Sequence, residues 1–275
     1  DPATLVGVSH GGGGLLTADP LWWRRNVHTD YYDYHLYPHG PTTTPELDYG
    51  AAVDVLTRYG QMCGVSKMGE SAGDQFSQHP DVNVRRWVMR DIIWMGLTSG
   101  NPGMFFWNAR GPEIKEFKPA NDAMAQLDLA TLRRAKPTIG IDVRHPLDDD
   151  KYFRDTAEGK AAYAMMGRYA QHYLSQGVDF DFTVDPGQYP QTASLDNFAP
   201  PAAEKRYFGV GNGWQLKYLA GDDWREALVY VRNFAGIEPW DYKQSERSVW
   251  RQYLRTRKPQ PLHVQLSLPD GTYSL

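Results

Sequence analysis

The chain has 275 residues, of which 23% are charged and 41% hydrophobic, the balance of an ordinary globular protein able to bury a sizeable core. Its net charge of −4, with acidic and basic residues interspersed, leaves no electrostatic footprint for nucleic acid. No stretch of about 18 consecutive apolar residues is present to span a membrane.

In chain order, the first predicted element is "TLVGVS" (4–9), a short strand followed by "HGGGG". "DYYDYHLYP" (30–38) is a second strand and leads into a loop rich in Pro and Thr. "PELDYGAAVDVLTRYGQ" (45–61) puts Ala52, Val55, Leu56 and Tyr59 on one helical stripe. "CGVSKMGE" (63–70) is a third strand, ending at Glu70 ahead of a glycine-containing loop. "DVNVRRWVMRDIIWMGLTSG" (81–100) is a helix with Val84, Trp87, Val88, Ile92 and Met95 on one face and a glycine stop. "GMFFWN" (103–108) is a fourth strand, with "NDAMAQLDLATLRRA" (121–135) as the helix behind it.

Strand, loop and helix recur in this order, which predicts parallel strands joined by helices. Such units over residues 1–136 amount to half of a (β/α)8 barrel, a fold of about 250 residues when whole. The polar residues of interest fall at strand C-terminal ends, the face on which barrel active sites lie. Residues 137–200 read as a βαβ extension or small α/β domain, with strand "KPTIGIDVRHP", helix "EGKAAYAMMGRYAQHYLSQG" ended by Gly177, and strand "VDFDFTV". The stretch from about 190, "YPQTASLDNFAPPAAEKRYFG", is expected to be loop. Residues 201–275 contain "ALVYVRN" and "HVQLSL" as strands and read as the start of an antiparallel β domain. The fold class expected is therefore α/β, a partial barrel followed by a small α/β segment and an incomplete β domain. Strand-like runs at both ends suggest a segment of a longer polypeptide or one part of a split protein.

Few kinds of chemistry suit this sequence. Cys63 is the single cysteine, so no intrachain disulfide or cysteine-based metal site forms, and "QMCGVSKM" reads as a strand holding an inert thiol. "HGGGG" (10–14) lacks the Lys-Ser/Thr of a phosphate loop and the spacing of a dinucleotide fingerprint. No Gly-x-Ser-x-Gly elbow occurs, and the eight His show no zinc-binding spacing. "RHPLDDDKYFRD" (144–155) lacks the glycine and terminal Glu of a calcium loop and reads as solvated. No cofactor or metal is expected. Of nine Trp, seventeen Tyr and ten Phe, many sit near loop ends, where rings either pack the core rim or offer flat faces to sugars.

"DYYDYHLYP", "VSKMGESA" and "GMFFWNARG", in that order, resemble the last strands of a retaining glycoside hydrolase barrel of the cellulase-like family 5 type. The resemblance covers roughly residues 1–135 and makes "TLVGVS" the fifth strand of such a barrel. It implies that Glu70 is the nucleophile and that His35, Tyr37 and Trp107 contact the sugar. Asp33, alternating with His35 on one side of its strand, is a further substrate-binding candidate at the mouth, as is Asn108. Read from the residues alone, Glu70 is also compatible with a polar strand-end residue, His35 with a structural histidine and Trp107 with a core ring. Retaining chemistry uses a second carboxyl about 5–5.5 Å away. The family carries it as an Asn-Glu pair on the fourth strand, and no such dipeptide occurs in this sequence. The acid/base is therefore expected on a missing N-terminal barrel half, supplied by a longer chain, a partner or a homo-oligomer. The expected partners are this half and a carbohydrate substrate, and by analogy with polysaccharide enzymes the setting is extracytoplasmic. The alternative is a non-catalytic carbohydrate-binding or assembly protein with a barrel-derived surface.

Overall fold

The computed structural model describes residues 7–10, 30–36, 48–62, 68–72, 81–101, 105–106, 111–144, 157–203, 207–222, 224, 226–234, 237–245, 248–255 and 261–267. Strands β1 (Gly7–His10), β2 (Tyr31–Leu36), β3 (Met68–Ala72) and β4 (Phe105–Phe106) form one sheet in the order β1-β2-β3-β4. Every pairing in it is parallel. Helix α1 (Tyr49–Met62) lies between β2 and β3 in the chain, and α2 (Val82–Thr98) between β3 and β4. Sequential order matters here. Right-handed crossovers between successive neighbours put every helix on the same face of a sheet, and α1 packs on α2 accordingly.

The stripe predicted for α1 is real but incomplete. Ala52, Val55, Leu56 and Tyr59 are buried as expected, yet Asp54, Thr57 and Arg58 on the remaining surface are buried too, each at no more than 2% exposure. The reason is tertiary: α1 also packs against α4 (Ala157–Leu174) and strand β6 (Asp181–Thr183). A helix enclosed on all sides must partner every polar group it carries, because an unpaired buried polar group costs about 1–3 kcal/mol. Asp48 does so at the start, where its carboxylate accepts from the Ala51 N–H at 3.1 Å. Helix α2 is capped by Asp81, which accepts from the Asn83 N–H, and ends where Gly100 takes φ of 83°.

The helix predicted over 121–135 forms earlier and is shorter. A 3-10 segment (Gly111–Glu116) runs into α3 (Phe117–Met124), with Pro119 in the first turn, where its missing N–H costs nothing. Beyond Met124 the chain turns instead. The Asp128 carboxylate accepts from the Ala130 N–H, a local bond that competes with helix. Arg133 then pairs its backbone with Ala220, at 2.9 and 2.8 Å, fixing this connector to the β region.

Strand β5 (Ile139–Asp142) is central in a second parallel sheet of order β6-β5-β7, with β7 at Gln191–Ser194. The segment from 190 is thus not all loop: Gln191–Ser194 pairs with Ile139–Asp142. Its polar sequence gives little strand signal, and the ladder to β5 supplies the order. Helix α4 buries Tyr163, Met166, Tyr169, Ala170 and Tyr173 at helical spacing against this sheet. It ends as predicted at Gly177, where φ is 64° and the Val178 N–H donates to Tyr173 O at 3.0 Å. A Cβ at 177 would lie 2.7 Å from the Phe208 carbonyl oxygen. Gly177→Ala is therefore expected to cost at least ~1 kcal/mol, read as a lower urea midpoint at unchanged slope.

The C-terminal region is antiparallel. β9 (Trp214–Ala220) pairs with β10 (Ala227–Asn233), β11 (Ile237–Ser245) with β12 (Ser248–Arg255), and β13 (Val264–Leu266) with β8 (Phe208–Val210). One hydrophobic core runs through α1, α2, α4, β5 and β6, and a smaller one lies around Phe208, Leu216 and Tyr218.

Candidate functional site

Of the residues singled out by sequence, Asp33, His35 and Glu70 lie along β2 and β3. Asp33 and His35 are in β2, and Glu70 is in β3 with Ser71 and Ala72 still to follow in the strand. The register pairs Tyr34 with Glu70, Asp33 with Gly69 and His35 with Ser71. Ladder geometry puts the Cα atoms of Glu70 and His35 about 6 Å apart, on neighbouring strands. They occupy opposite phases of the pleat, however: Glu70 alternates with Gly69 and Ser71, the positions level with Asp33 and His35. β4 lies beside Ser71 and Ala72, and Trp107 follows it directly in the chain. Tyr37, Trp107 and Asn108 lie outside the described residues, as does Cys63.

A second cluster, which the sequence reading did not find, lies where the helices end. In parallel βα units the strand C-termini are at one end and the helix C-termini at the other. Near the last turn of α1, Arg58 donates to Asp54 at 2.8 Å and also to Asp179 and the Phe180 carbonyl. Arg134, from the connector after α3, reaches Asp179 at 3.0 Å, Gln61 at 2.6 Å and Asp181. Lys217 of β9 donates to Asp54 and to Ser99 Oγ, the residue that caps α2. Three cations and three carboxylates thus join the helix pair, the β5–β7 sheet and the β9–β10 hairpin at one buried seam. Cations here also face the partial negative charge of helix C-termini, a favourable placement.

The electrostatics follow from this arrangement. Burial works against the charge of Asp54, but Arg58 and Lys217 hold its carboxyl below the usual carboxylate range. Asp179 is likewise held low, against burial, by Arg134 and Arg58. Burial opposes the charge of Arg134, and Asp179 and Asp181 together raise it above its ordinary value. Lys217 differs. Burial pushes it down to about 7, with Arg58 adding to the effect and Asp54 opposing it. An amine at that value is a potential nucleophile, but Lys217 is 4% exposed and its adjoining cavity is about 10 Å³, room for one water at most. No substrate carbonyl reaches it, so its role is in the seam.

Beside this seam lies a crevice of about 920 Å³, lined among others by Gln61, Leu97, Arg134, Asp181, Tyr189 and Leu219. Gln61 and Leu97 belong to the C-terminal turns of α1 and α2, so the crevice opens at the end opposite the strand C-termini. Its polar groups are largely committed to one another: the Tyr189 hydroxyl donates to Asp181 at 3.0 Å, and burial with Asp181 pushes that phenol up to about 12. Among the described residues no group of His, Cys, Asp or Glu could hold a metal ion, and no helix is long and apolar enough to cross a membrane. The one sequence signal of the seam was the helical spacing of Asp54 and Arg58. Lys217 is 163 positions from Asp54, and no pattern along the chain connects them.

Comparison with known proteins adds little. No protein-family model matches the chain, and no curated protein matches it. Among solved structures, the cold-adapted β-galactosidase from Rahnella sp. R3 aligns at a TM-score of 0.35 and 12% identity. The alignment covers 60% of this chain and 29% of that one, so the chain spans less than a third of that protein's length. A likeness of this size decides neither fold nor activity.

Proposed function

We propose that the chain is part of a retaining glycoside hydrolase, with residues 1–136 forming the C-terminal half of a (β/α)8 barrel. Residues 137–200 form its α/β extension and 201–275 the first strands of a β domain. The observation that carries the reading is the sequential, all-parallel order β1-β2-β3-β4, with α1 and α2 packed together. Barrels are wound in this sequential way, whereas open doubly wound sheets reverse their strand order, as β6-β5-β7 does. Glu70 and Asp33 with His35 stand on adjacent strands of that sheet. Among the described strands β1 and β4 have one neighbour each, and an uncovered edge of this kind invites a partner. The missing half, from further chain, a partner or a second copy, would close the barrel and bring the acid/base.

In this reading the Glu70 carboxylate attacks the anomeric carbon as the acid/base protonates the departing glycosidic oxygen. A glycosyl ester forms on Glu70 and the aglycone leaves with the proton. Water, deprotonated by the same acid/base, then attacks the anomeric carbon, freeing the sugar with its configuration retained and Glu70 ionised again. Tyr37, Trp107 and Asn108 would bind sugar hydroxyls and faces, whereas Asp33 and His35, in the other pleat phase from Glu70, would not share its side of the sheet.

The test is native mass spectrometry on the protein isolated from its source, with aryl glycosides and oligosaccharides assayed on the same material. The expected outcome is a species heavier than 31.2 kDa that releases sugar with retained anomeric configuration by NMR. A lone 31.2 kDa species that binds oligosaccharide without cleaving it overturns the hydrolase reading and favours a carbohydrate-binding protein.

A further inference from the structure

We propose that β13 is a self-association edge, at which two copies of the chain pair their Val264–Leu266 strands antiparallel about a two-fold axis through Val264. The edge is separate from the sheet that carries Glu70. β13 pairs with β8 at Val264↔Val210, Gln265↔Gly209 and Leu266↔Phe208, and the Ser267 N–H donates to Tyr207 O at 2.7 Å. Antiparallel neighbours alternate between bonded and non-bonded pairs. Ser267 and Gln265 are therefore the residues bonded to β8, while Val264 and Leu266 turn their N–H and C=O groups outward. The far side of β8 is taken: the Phe208 carbonyl oxygen lies 2.7 Å from where a Cβ on Gly177 would stand, at the end of α4. Among the described residues, the open side of this sheet is thus β13, and its outward backbone groups pair with no strand.

Open edges are normally blunted by charged side chains, proline or a bulge. The run Leu262-His263-Val264-Gln265-Leu266 holds no Asp, Glu, Lys, Arg or Pro. Pro261 stands just ahead of it, where its carbonyl accepts from the Trp214 indole N–H at 3.1 Å and fixes the entry to the strand. The side chains invite cover as well. Val264 and Leu266 share the face of Val210 and Phe208, the residues level with them on β8. Phe208 is 3% exposed in the smaller core, yet Val264 and Leu266 stay 38% and 42% exposed, and Leu262 46%. An apolar face runs out of the core and ends uncovered at the edge. The occupant follows from the symmetry of the sequence: about Val264 the run reads Leu-x-Val-x-Leu in both directions. An antiparallel second copy sets Val264 against its own equivalent and Leu262 against Leu266, each pair exchanging both N–H···O bonds. On the other face His263 meets Gln265, a pair able to hydrogen-bond, and no like charges are opposed. So short a contact falls below the ~1,200 Å² of stable interfaces, which makes the dimer reversible on dilution.

Sedimentation equilibrium of the full chain from low micromolar to submillimolar concentration, with hydrogen exchange on the same samples, tests the edge. The expected result is a reversible shift from 31.2 kDa to twice that mass. Protection of residues 262–267 is expected to rise by roughly tenfold over the range, while helix Ala157–Leu174 keeps constant protection. Val264→Lys sets two ammonium groups against each other on the axis and is expected to hold the chain at 31.2 kDa throughout. Val264→Pro removes an outward N–H and no bond to β8, and is expected to raise the dissociation constant by about tenfold or more. A mass of 31.2 kDa at every concentration of the unaltered chain overturns the proposal, whether or not the variants fold. A dimer that survives Val264→Lys does so too. Protection of 262–267 that is high and independent of concentration also overturns it, since another segment or partner then occupies the edge.

Discussion

Glu70→Gln in the assembled enzyme is expected to lower kcat by roughly 10⁴-fold, about 5.5 kcal/mol of barrier. The amide is nearly the same size and cannot form the glycosyl ester, so the loss falls on chemistry and not on folding. His35→Asn and Asp33→Asn make the comparison informative. Both positions lie on the neighbouring strand in the other pleat phase from Glu70. Out of phase with a sugar held by Glu70, they are expected to leave kcat and KM nearly unchanged. Azide added to Glu70→Ala should restore turnover, because a small anion fits the vacated carboxylate site and yields the glycosyl azide of inverted configuration. Normal turnover in Glu70→Gln would remove Glu70 from the mechanism. Equal kcat losses at all of these positions would point to a folding defect instead.

Arg232→Met is expected to be the most destabilising single change outside the strand ends. Arg232 is 2% exposed and donates to Asp48 at 2.6 Å, Asp91 at 2.7 Å and Gln215 at 2.8 Å. It thereby ties β10 to the residue just ahead of α1 and to the middle of α2. Burial opposes its charge, but Asp48 and Asp91 raise it above its ordinary value, so it remains a cation at every accessible pH. Removing it takes the cation from two buried carboxylates, a loss of about 3–5 kcal/mol in a protein whose stability is of order 5–15 kcal/mol. Gly50 shows how tightly the group is enclosed: a Cβ there would stand 2.1 Å from Arg232 Nη1 and 2.3 Å from Asp91 Oδ2. Chemical denaturation of Arg232→Met should show the full loss, and pairing it with Asp91→Leu should recover part of it by removing one orphaned charge. A loss under ~1 kcal/mol, typical of surface pairs, would mean that the Arg232 cluster is open to water.

Several features follow from the sequence because their cause lies within a few residues. The order of strands and helices through β4 follows from hydrophobic periodicity and punctuation. The end of α4 at Gly177 follows from the one residue type that takes a positive φ without strain. The sequence also marked Glu70, Asp33 and His35 as polar residues on neighbouring strands. Only the tertiary structure decided the rest. The path after α3 is fixed where Arg133 pairs its backbone with Ala220 of β9, and Gln191–Ser194 is a strand because β5 is there to pair with it. The register that puts Glu70 level with Tyr34 and out of phase with His35 depends on pairing across the sheet. The burial of Asp54 and Arg58, and their meeting with Lys217, depend on chain segments far apart in sequence that close on α1. Local conformation is encoded by neighbours in the chain, while burial, register and charge pairing are set by neighbours in space.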